Sequence, residues 1–304
     1  MLKDKYINPF TDFGFKKLFG TEPNKDLMID FLNQILPQKH QIKDLTYTKN
    51  EYLGNTDRDR KAIFDLYCTS EKGDKFIVEI QKAKQNFFKE RSIYYSTFPI
   101  QEQALRGEWD FQLSAVYTVG ILDFVFAEDK EEQQVLHVVQ LKDQEGQIFY
   151  DKLTYIYLEM PNFQKTESQL ENQFDKWLYV FKNLHRLERI PDKLQDKIFK
   201  KLFKAAEIAK FSKQEFEQYE SSLKYYRDLT NVTNTAYSEG EKKGREEGRE
   251  EGREKGREEG IEEGMKLKNI EIAQKALSEN IPTNIISVLT GLSEDEIIKL
   301  KNTL

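Results

Sequence analysis

The stretch "AIFDLYCTSEKGDKFIVEIQKAK", Ala62 to Lys84, holds two strand-like runs around a turn. In "KFIVEIQKA" Phe76, Val78 and Ile80 alternate with Ile77, Glu79 and Gln81, so Glu79 shares a strand face with one apolar residue and one amide. "AIFDLYCTS" reads as the preceding strand, and "EKGD" supplies the turn that joins the two into a hairpin. A turn centred between Lys72 and Gly73 brings Asp65 close to Glu79 and Gln81 across the pair, to within a residue of register. Two carboxylates meeting inside a sheet repel, and one takes up a proton unless a cation stands between them. Hard oxygen donors in such a place suit Mg2+ or Mn2+. A strand carboxylate can equally be paired by a lysine, and Lys61, Lys82 and Lys84 are at hand.

Working outward, "NPFTDFGFKKLFG" predicts a loop and a short helix with Asp12 as N-cap and Gly20 as its stop. "NKDLMIDFLNQIL" places Leu27, Phe31, Leu32 and Ile35 at helical spacing before Pro37. "DLTYTKNEYLG" is a further strand ahead of the hairpin. After the hairpin, "NFFKERSIYYSTFPIQEQALRG" is helical, with Pro99 expected to kink or split it. Its Tyr94 and Tyr95 could stack on bases, but at least one must face the core. "LSAVYTVGILDFVF" returns to strand, so the order helix, three strands, helix, strand marks a mixed α/β core. Two more strands, "QQVLHVVQLKD" and "KLTYIYLEM", flank the turn "QEGQ".

The boundaries read as 1–165 for the core, 166–236 for a helical extension, 237–265 for a periodic segment and 266–304 for a helical tail. Glycines recur at every fourth position from Gly240 to Gly264, set among Glu and Arg. Each costs about 1 kcal/mol against alanine in a helix, so the isolated segment is expected to be disordered or only marginally helical. In the tail, one helix should end near Asn280 and a second should start at Pro282. A turn is placed at Thr290-Gly291-Leu292, and a third helix is capped by Ser293 with Glu296 three residues on. Ile285, Leu289, Leu292 and Ile297 are assigned to its inside. The arrangement is like a helix-turn-helix, but Glu294, Asp295 and Glu296 would meet phosphates with the wrong charge, which favours protein contact. The tail is too small to cover its apolar face alone. A homo-oligomer through the C-terminal region, with a second copy docked along the glycine row, is therefore expected.

The net charge of -6 argues against a protein that coats nucleic acid nonspecifically. The excess is local: residues 236–304 carry 12 Lys+Arg against 16 Asp+Glu, leaving 35 against 37 for the rest. One cysteine, Cys68, and three scattered histidines exclude a disulfide framework and a zinc-type spacing. No run has the length of a membrane span, and "MLKDKYINPF" lacks the apolar segment of a secretion signal, so a cytoplasmic protein with no membrane partner is expected.

The blocks "NPFTDFGFKKLFG", "FDLYC", "VEIQ", "RSIYY", "ALRGEWD" and "LEMPNF", in that order over residues 5 to about 190, resemble the Rpn family of recombination-promoting nucleases in the PD-(D/E)XK superfamily. The resemblance implies an α/β, restriction-endonuclease-like core with a mixed sheet flanked by helices. It implies a metal-dependent DNA endonuclease, with DNA as partner and a role in recombination, mobile elements or defence. Carried over by residue, Asp65 and Glu79 become metal ligands with the Ile80 carbonyl as third, and Asp65, Glu79 and Gln81 form the catalytic set. The ion implied is Mg2+, with Mn2+ or Ca2+ as substitutes, and no small-molecule cofactor. Gln81 stands where the superfamily carries lysine; an amide is neither cation nor base and can only orient water or phosphate. Arg91 and Lys61 are candidates for the missing charge, while Asp12, in a family block, is sufficiently explained as an N-cap. Two rival readings remain: a nuclease-fold protein that binds DNA or a partner without cutting, and an assembly protein acting through its tail.

Overall fold

The computed structural model describes residues 4–48, 51–52, 62–104, 110–126 and 134–302. Lys61 and most of the "ALRGEWD" block lie outside the described residues. The chain divides into two compact units, Met1–Thr233 and Asn234–Leu304.

Unit 1 is built on a six-stranded mixed sheet. Two helices, α1 (Asp12–Phe19) and α2 (Lys25–Ile35), precede β1 (Leu45–Tyr47). The next strand run expected from the sequence is broken up. β2 (Glu51–Tyr52) pairs with β3 (Ala62–Ile63) in a separate two-stranded sheet, and β4 (Leu66–Ser70) starts only after a break at Phe64 and Asp65. β5 (Lys75–Gln81), α3 (Phe88–Glu102), β6 (Val116–Leu122), β7 (Leu136–Lys142) and β8 (Ile148–Glu159) follow. The sheet order is β1-β4-β5-β6-β8-β7. Its central pairs β5/β6 and β6/β8 are parallel and the outer pairs antiparallel.

The hairpin closes as its turn residues require. Gly73 adopts φ +87°, open to glycine without strain, and the Ser70 amide donates to the Asp74 carbonyl at 2.9 Å. Leu66 then faces Val78 and Thr69 faces Lys75, one residue from the register centred between Lys72 and Gly73.

Both faces of the central strands are covered, while β7 and the start of β8 stay open to solvent. Phe76, Val78 and Ile80 of β5, with Tyr117, Val119 and Ile121 of β6, join a core with Phe15, Phe19 and Phe31 of α1 and α2. Each such ring, fully buried, contributes roughly 1.5–3 kcal/mol. The helical extension expected over 166–236 packs on that core: α4 (Gln173–Asn183) brings Trp177 and Phe181, α5 (Lys197–Ala206) brings Phe199 and Phe203, and the start of α6 (Lys213–Ser278) brings Tyr219. The opposite face carries α3, through Phe98 against Phe64, Tyr67 and Ile77, and through Phe88 against Leu122, Tyr155 and Tyr157. Pro99 does not split α3, because it sits in the last turn, where the lost N–H costs only the end of the ladder.

The N-cap of α1 is Thr11, whose hydroxyl accepts the Gly14 amide at 3.0 Å; Asp12 is the first helical residue, bridged to Lys16 at 2.8 Å. A threonine ahead of an aspartate satisfies the cap with its shorter hydroxyl and leaves the acid free to point outward. Gly20 is the stop, as its position suggests.

In unit 2 the glycine-periodic run is helical, part of α6. Extension from turns already formed avoids the nucleation cost that dominates for an isolated segment. Pairs such as Arg245–Glu241 and Lys243–Glu247 line its exposed sides. After α6 come α7 (Thr283–Thr290) and α8 (Glu294–Lys301), with Gly291 at φ +71° between them and a Ser293/Glu296 capping box. Leu292 and Ile297 are buried as expected, but Ile285 and Leu289 are exposed and Ile286 takes the inside with Ala273 and Ala276.

Candidate active site

The break at Phe64 and Asp65 builds the site. Phe64 is drawn into the α3 cluster against Tyr95 at 5.2 Å, and the chain turns before β4 begins. Asp65 is thereby placed beside the last turns of β5. Its amide donates to Glu79 Oε1 at 3.1 Å, and its Oδ2 accepts the Ile80 amide at 2.7 Å. Each carboxylate is thus held by a backbone amide from the other's segment, Glu79 by that of Asp65 and Asp65 by that of Ile80. Gln81, on the same face as Glu79, donates Nε2 to Glu79 Oε2 at 3.1 Å. Glu79 is 6 % exposed and Gln81 9 %.

Asp65, Glu79 and Gln81 are therefore brought together, and Ile80 is placed among them through its N–H. Gln81 orients the Glu79 carboxylate directly, an attachment not foreseen from the residue types. Gly120 of β6 lies opposite Glu79 in the parallel register. A Cβ there would come to 3.0 Å of the Tyr157 ring, tighter than ordinary contact, and to 3.5 Å of Phe88, so little room is left for a larger side chain between the sheet and α3.

Burial raises the Asp65 carboxyl above its ordinary range; the Ile80 amide pulls it back, Asp12 pushes it up, and Lys16 and Lys82 pull it down. Glu79 is raised by burial first and by the Asp65 charge second. The Asp65 amide, the Arg91 guanidinium and the Gln81 amide act against that rise. These are two desolvated acids in mutual repulsion, the condition that a divalent cation relieves. The donor set of two carboxylates is hard oxygen, and it fits an ion of the Mg2+ class. Among the described residues no group of three or more Asp, Glu, His or Cys is placed to hold a metal, so water would fill the remaining positions.

Arg91, a candidate from the sequence, lies near enough to favour the Glu79 anion, with its guanidinium over Phe88 at 5.2 Å and Tyr95 at 5.7 Å and bonded to Gln85. Tyr95 packs inward, whereas Tyr94 is partly exposed and lies edge-on to Phe98 at 5.1 Å. Asp12 acts electrostatically on Asp65 from the first turn of α1, although its carboxylate is engaged by Lys16.

The sequence reading missed the part played by α6. Tyr219 Oη accepts the Asn8 amide at 2.9 Å, Ser222 Oγ accepts the Phe13 amide at 3.1 Å, and Glu215 pairs with Lys17. Tyr226 donates to Asp123 at 3.1 Å, and the Asp123 amide donates to the Gln81 carbonyl at 2.8 Å. These bonds pin the start of α6 beside the carboxylates. They border an open cleft of about 880 Å³ lined by Asp12, Lys16, Gly20, Gln218, Ser221 and Tyr225, among others. The Lys82 ammonium stands 5.2 Å from the centre of the Tyr225 ring. No signal in the sequence links Lys82 to Tyr225, since strand alternation sends Lys82 away from Gln81 and α6 is remote in the chain.

Among the described residues no helix is long and apolar enough to cross a membrane. Neither a curated protein nor a solved structure matches the chain. A family model described as PD-(D/E)XK nuclease family transposase matches residues 9–236, which takes in the sheet, the paired carboxylates and the pinned start of α6. Its fold is thereby a nuclease fold of a superfamily that generally uses divalent metal ions, and the chain belongs to the PD-(D/E)XK nuclease family transposases.

Proposed function

We propose that the protein is a metal-dependent DNA endonuclease that hydrolyses phosphodiester bonds at Asp65 and Glu79. The observation that carries this is the interlocked geometry of the two carboxylates, Glu79 accepting the Asp65 amide and Asp65 the Ile80 amide. Mg2+, with Mn2+ as substitute, would be held by Asp65 and Glu79 with the Ile80 carbonyl as third donor. When bound, such an ion supplies Lewis acidity toward phosphate and a nucleophile at neutral pH. The chain's own residues do the rest. The Ile80 and Asp65 amides align Asp65 and Glu79 and oppose the rise that burial imposes on both carboxyls, and Gln81 donates to Glu79 and keeps its carboxylate from rotating. α3 packs over the sheet beside Glu79, with Phe88 against Leu122 and Tyr157 and Tyr95 near enough to feel the Glu79 charge. Arg91 offsets the negative charge that gathers when a phosphate arrives.

Membership in a family of nuclease-fold transposases supports mobile-element DNA as the substrate, and with it a role in recombination or defence in the cytoplasm. Self-association through the C-terminal region accompanies this reading, supported by the apolar Ile285, Val288 and Leu289 that α7 leaves exposed. The test is nicking of supercoiled plasmid with Mg2+ and with EDTA. Cleavage should require the ion and vanish in Asp65→Asn and Glu79→Gln, both of which should stay folded because each removes a repulsive charge. Full cleavage by both variants would refute the site. Absence of cleavage by the unaltered protein, with DNA binding retained, would favour the reading of a nuclease fold that binds without cutting.

A further inference from the structure

We infer that Lys82, held against the Tyr225 ring of α6, is the group that receives the phosphate oxygens of the nucleic acid at the Asp65/Glu79 site. The inference rests on the phosphodiester reading above and names the cation that Gln81 cannot be. Gln81 is neutral, and its amide is already spent on Glu79. Of the described cations near the carboxylates, Lys16 is committed to Asp12 at 2.8 Å. Arg91 is tied to Gln85 and lies over two rings on the α3 side. Lys17, further along the cleft, is committed to Glu215.

Lys82 differs from these. Among the described residues no carboxylate comes within ion-pair distance of it, and its ammonium is held by an aromatic face at 5.2 Å. A cation–π contact fixes the position of an ammonium without neutralising it, so its charge stays available to an incoming anion. Lys82 follows Gln81 directly, and its charge already acts on both Asp65 and Asp12. Tyr225, whose ring holds it, and Asp12, on which its charge acts, both line the open cleft. Tyr225 is a positioning residue. Its neighbour Tyr226 is latched to Asp123, and Asp123 to the end of β5, so the ring is anchored to the same strand end as the lysine it holds.

The experiment measures binding of a short fluorescein-labelled DNA duplex to the full chain by anisotropy, in Ca2+ over a salt series, alongside plasmid nicking in Mg2+. Lys82→Gln should weaken binding roughly five- to tenfold, lower the slope of log affinity against log salt by about one, and slow nicking about a hundredfold. Lys82→Arg should recover most of the binding. Tyr225→Leu should lose part of it and Tyr225→Phe should keep it, because phenylalanine retains the ring face. The double variant Lys82→Gln/Tyr225→Leu should bind no worse than Lys82→Gln alone, since the ring acts only through the lysine. An unchanged salt slope in Lys82→Gln, or additive losses in the double variant, would overturn the inference. If the unaltered protein binds but never nicks, the binding arm still decides the role of Lys82, and only the nuclease reading fails.

Discussion

Replacing Asp123 by Asn should stabilise the protein in a pH-dependent way. Asp123 follows β6, is largely buried, and accepts the Tyr226 hydroxyl at 3.1 Å. Burial pushes its carboxyl from 3.8 up to about 6, against the Tyr226 hydrogen bond and the Lys182 and Arg186 charges, which pull it down. A folded-state value above the unfolded one means that the folded chain keeps a proton that the unfolded chain releases. Stability is therefore lost as pH rises from near 4 to near 6, and above that the whole cost of the buried anion is present. A shift of about two units corresponds to about 3 kcal/mol. Asn keeps an acceptor for Tyr226 and removes the charge. The variant should match the unaltered protein below pH about 4 and gain up to about 3 kcal/mol at pH 7, or roughly 6–12 °C in melting temperature for a unit of this size. Urea melts of both proteins at intervals between pH 4 and 8 give the difference curve. A constant offset across that range, or a gain that shrinks as pH rises, would refute the reasoning.

Gln81→Lys should retain or raise the nicking rate, because an ammonium placed where the amide now meets Glu79 restores positive charge beside the phosphate; a dead variant that still folds would sink this role for position 81. Gly120→Val should cost about 1–3 kcal/mol by overpacking against Tyr157 and Phe88, read as a lower urea midpoint with an unchanged slope. Truncation after Tyr237 should leave a nuclease that cuts DNA but sediments as a smaller species than the full chain. If both proteins sediment as monomers at micromolar concentration, the tail does not mediate self-association.

The parts of the site that were legible in the sequence were those set by local rules. Turn chemistry at Gly73 and the period-two alternation of β5 bring Asp65 to within a residue of Glu79, so their nearness, though not the bonds between them, follows from a short stretch. The capping box at Ser293 is local in the same sense. The parts that were hidden depend on tertiary packing. Nothing in "AIFDLYC" shows that Phe64 prefers the α3 cluster to a continuous strand, yet that preference is what turns Asp65 toward the Ile80 amide. Adjacent isoleucines at 285 and 286 lie about 100° apart on a helix, and periodicity alone does not say which one faces Ala273 and Ala276. The pairing of Lys82 with Tyr225 is a contact between a strand end and a helix that the sequence assigned to another segment.

The glycine run shows how a strict period can mislead about partners. With 3.6 residues per turn, a step of four turns the helix by about 40° beyond a full circle, so seven glycines sweep roughly 240° around α6. They do not line one seam, and a straight second helix could seat only two or three of them. A Cβ on any of the seven would meet nothing within 4 Å, so none of the glycines marks a close approach within the chain. The Glu and Arg residues between them rotate in step, so the segment shows a similar mixed charge in every direction and offers a second copy no preferred register. Ile285, Val288 and Leu289 of α7 have the opposite geometry. Spaced i, i+3 and i+4, they share one face and expose a compact apolar surface. Self-association, if carried by this region, is better explained by that face than by the glycine row. The run itself then acts as a charged helical spacer, whose glycines lower its stability without defining a contact.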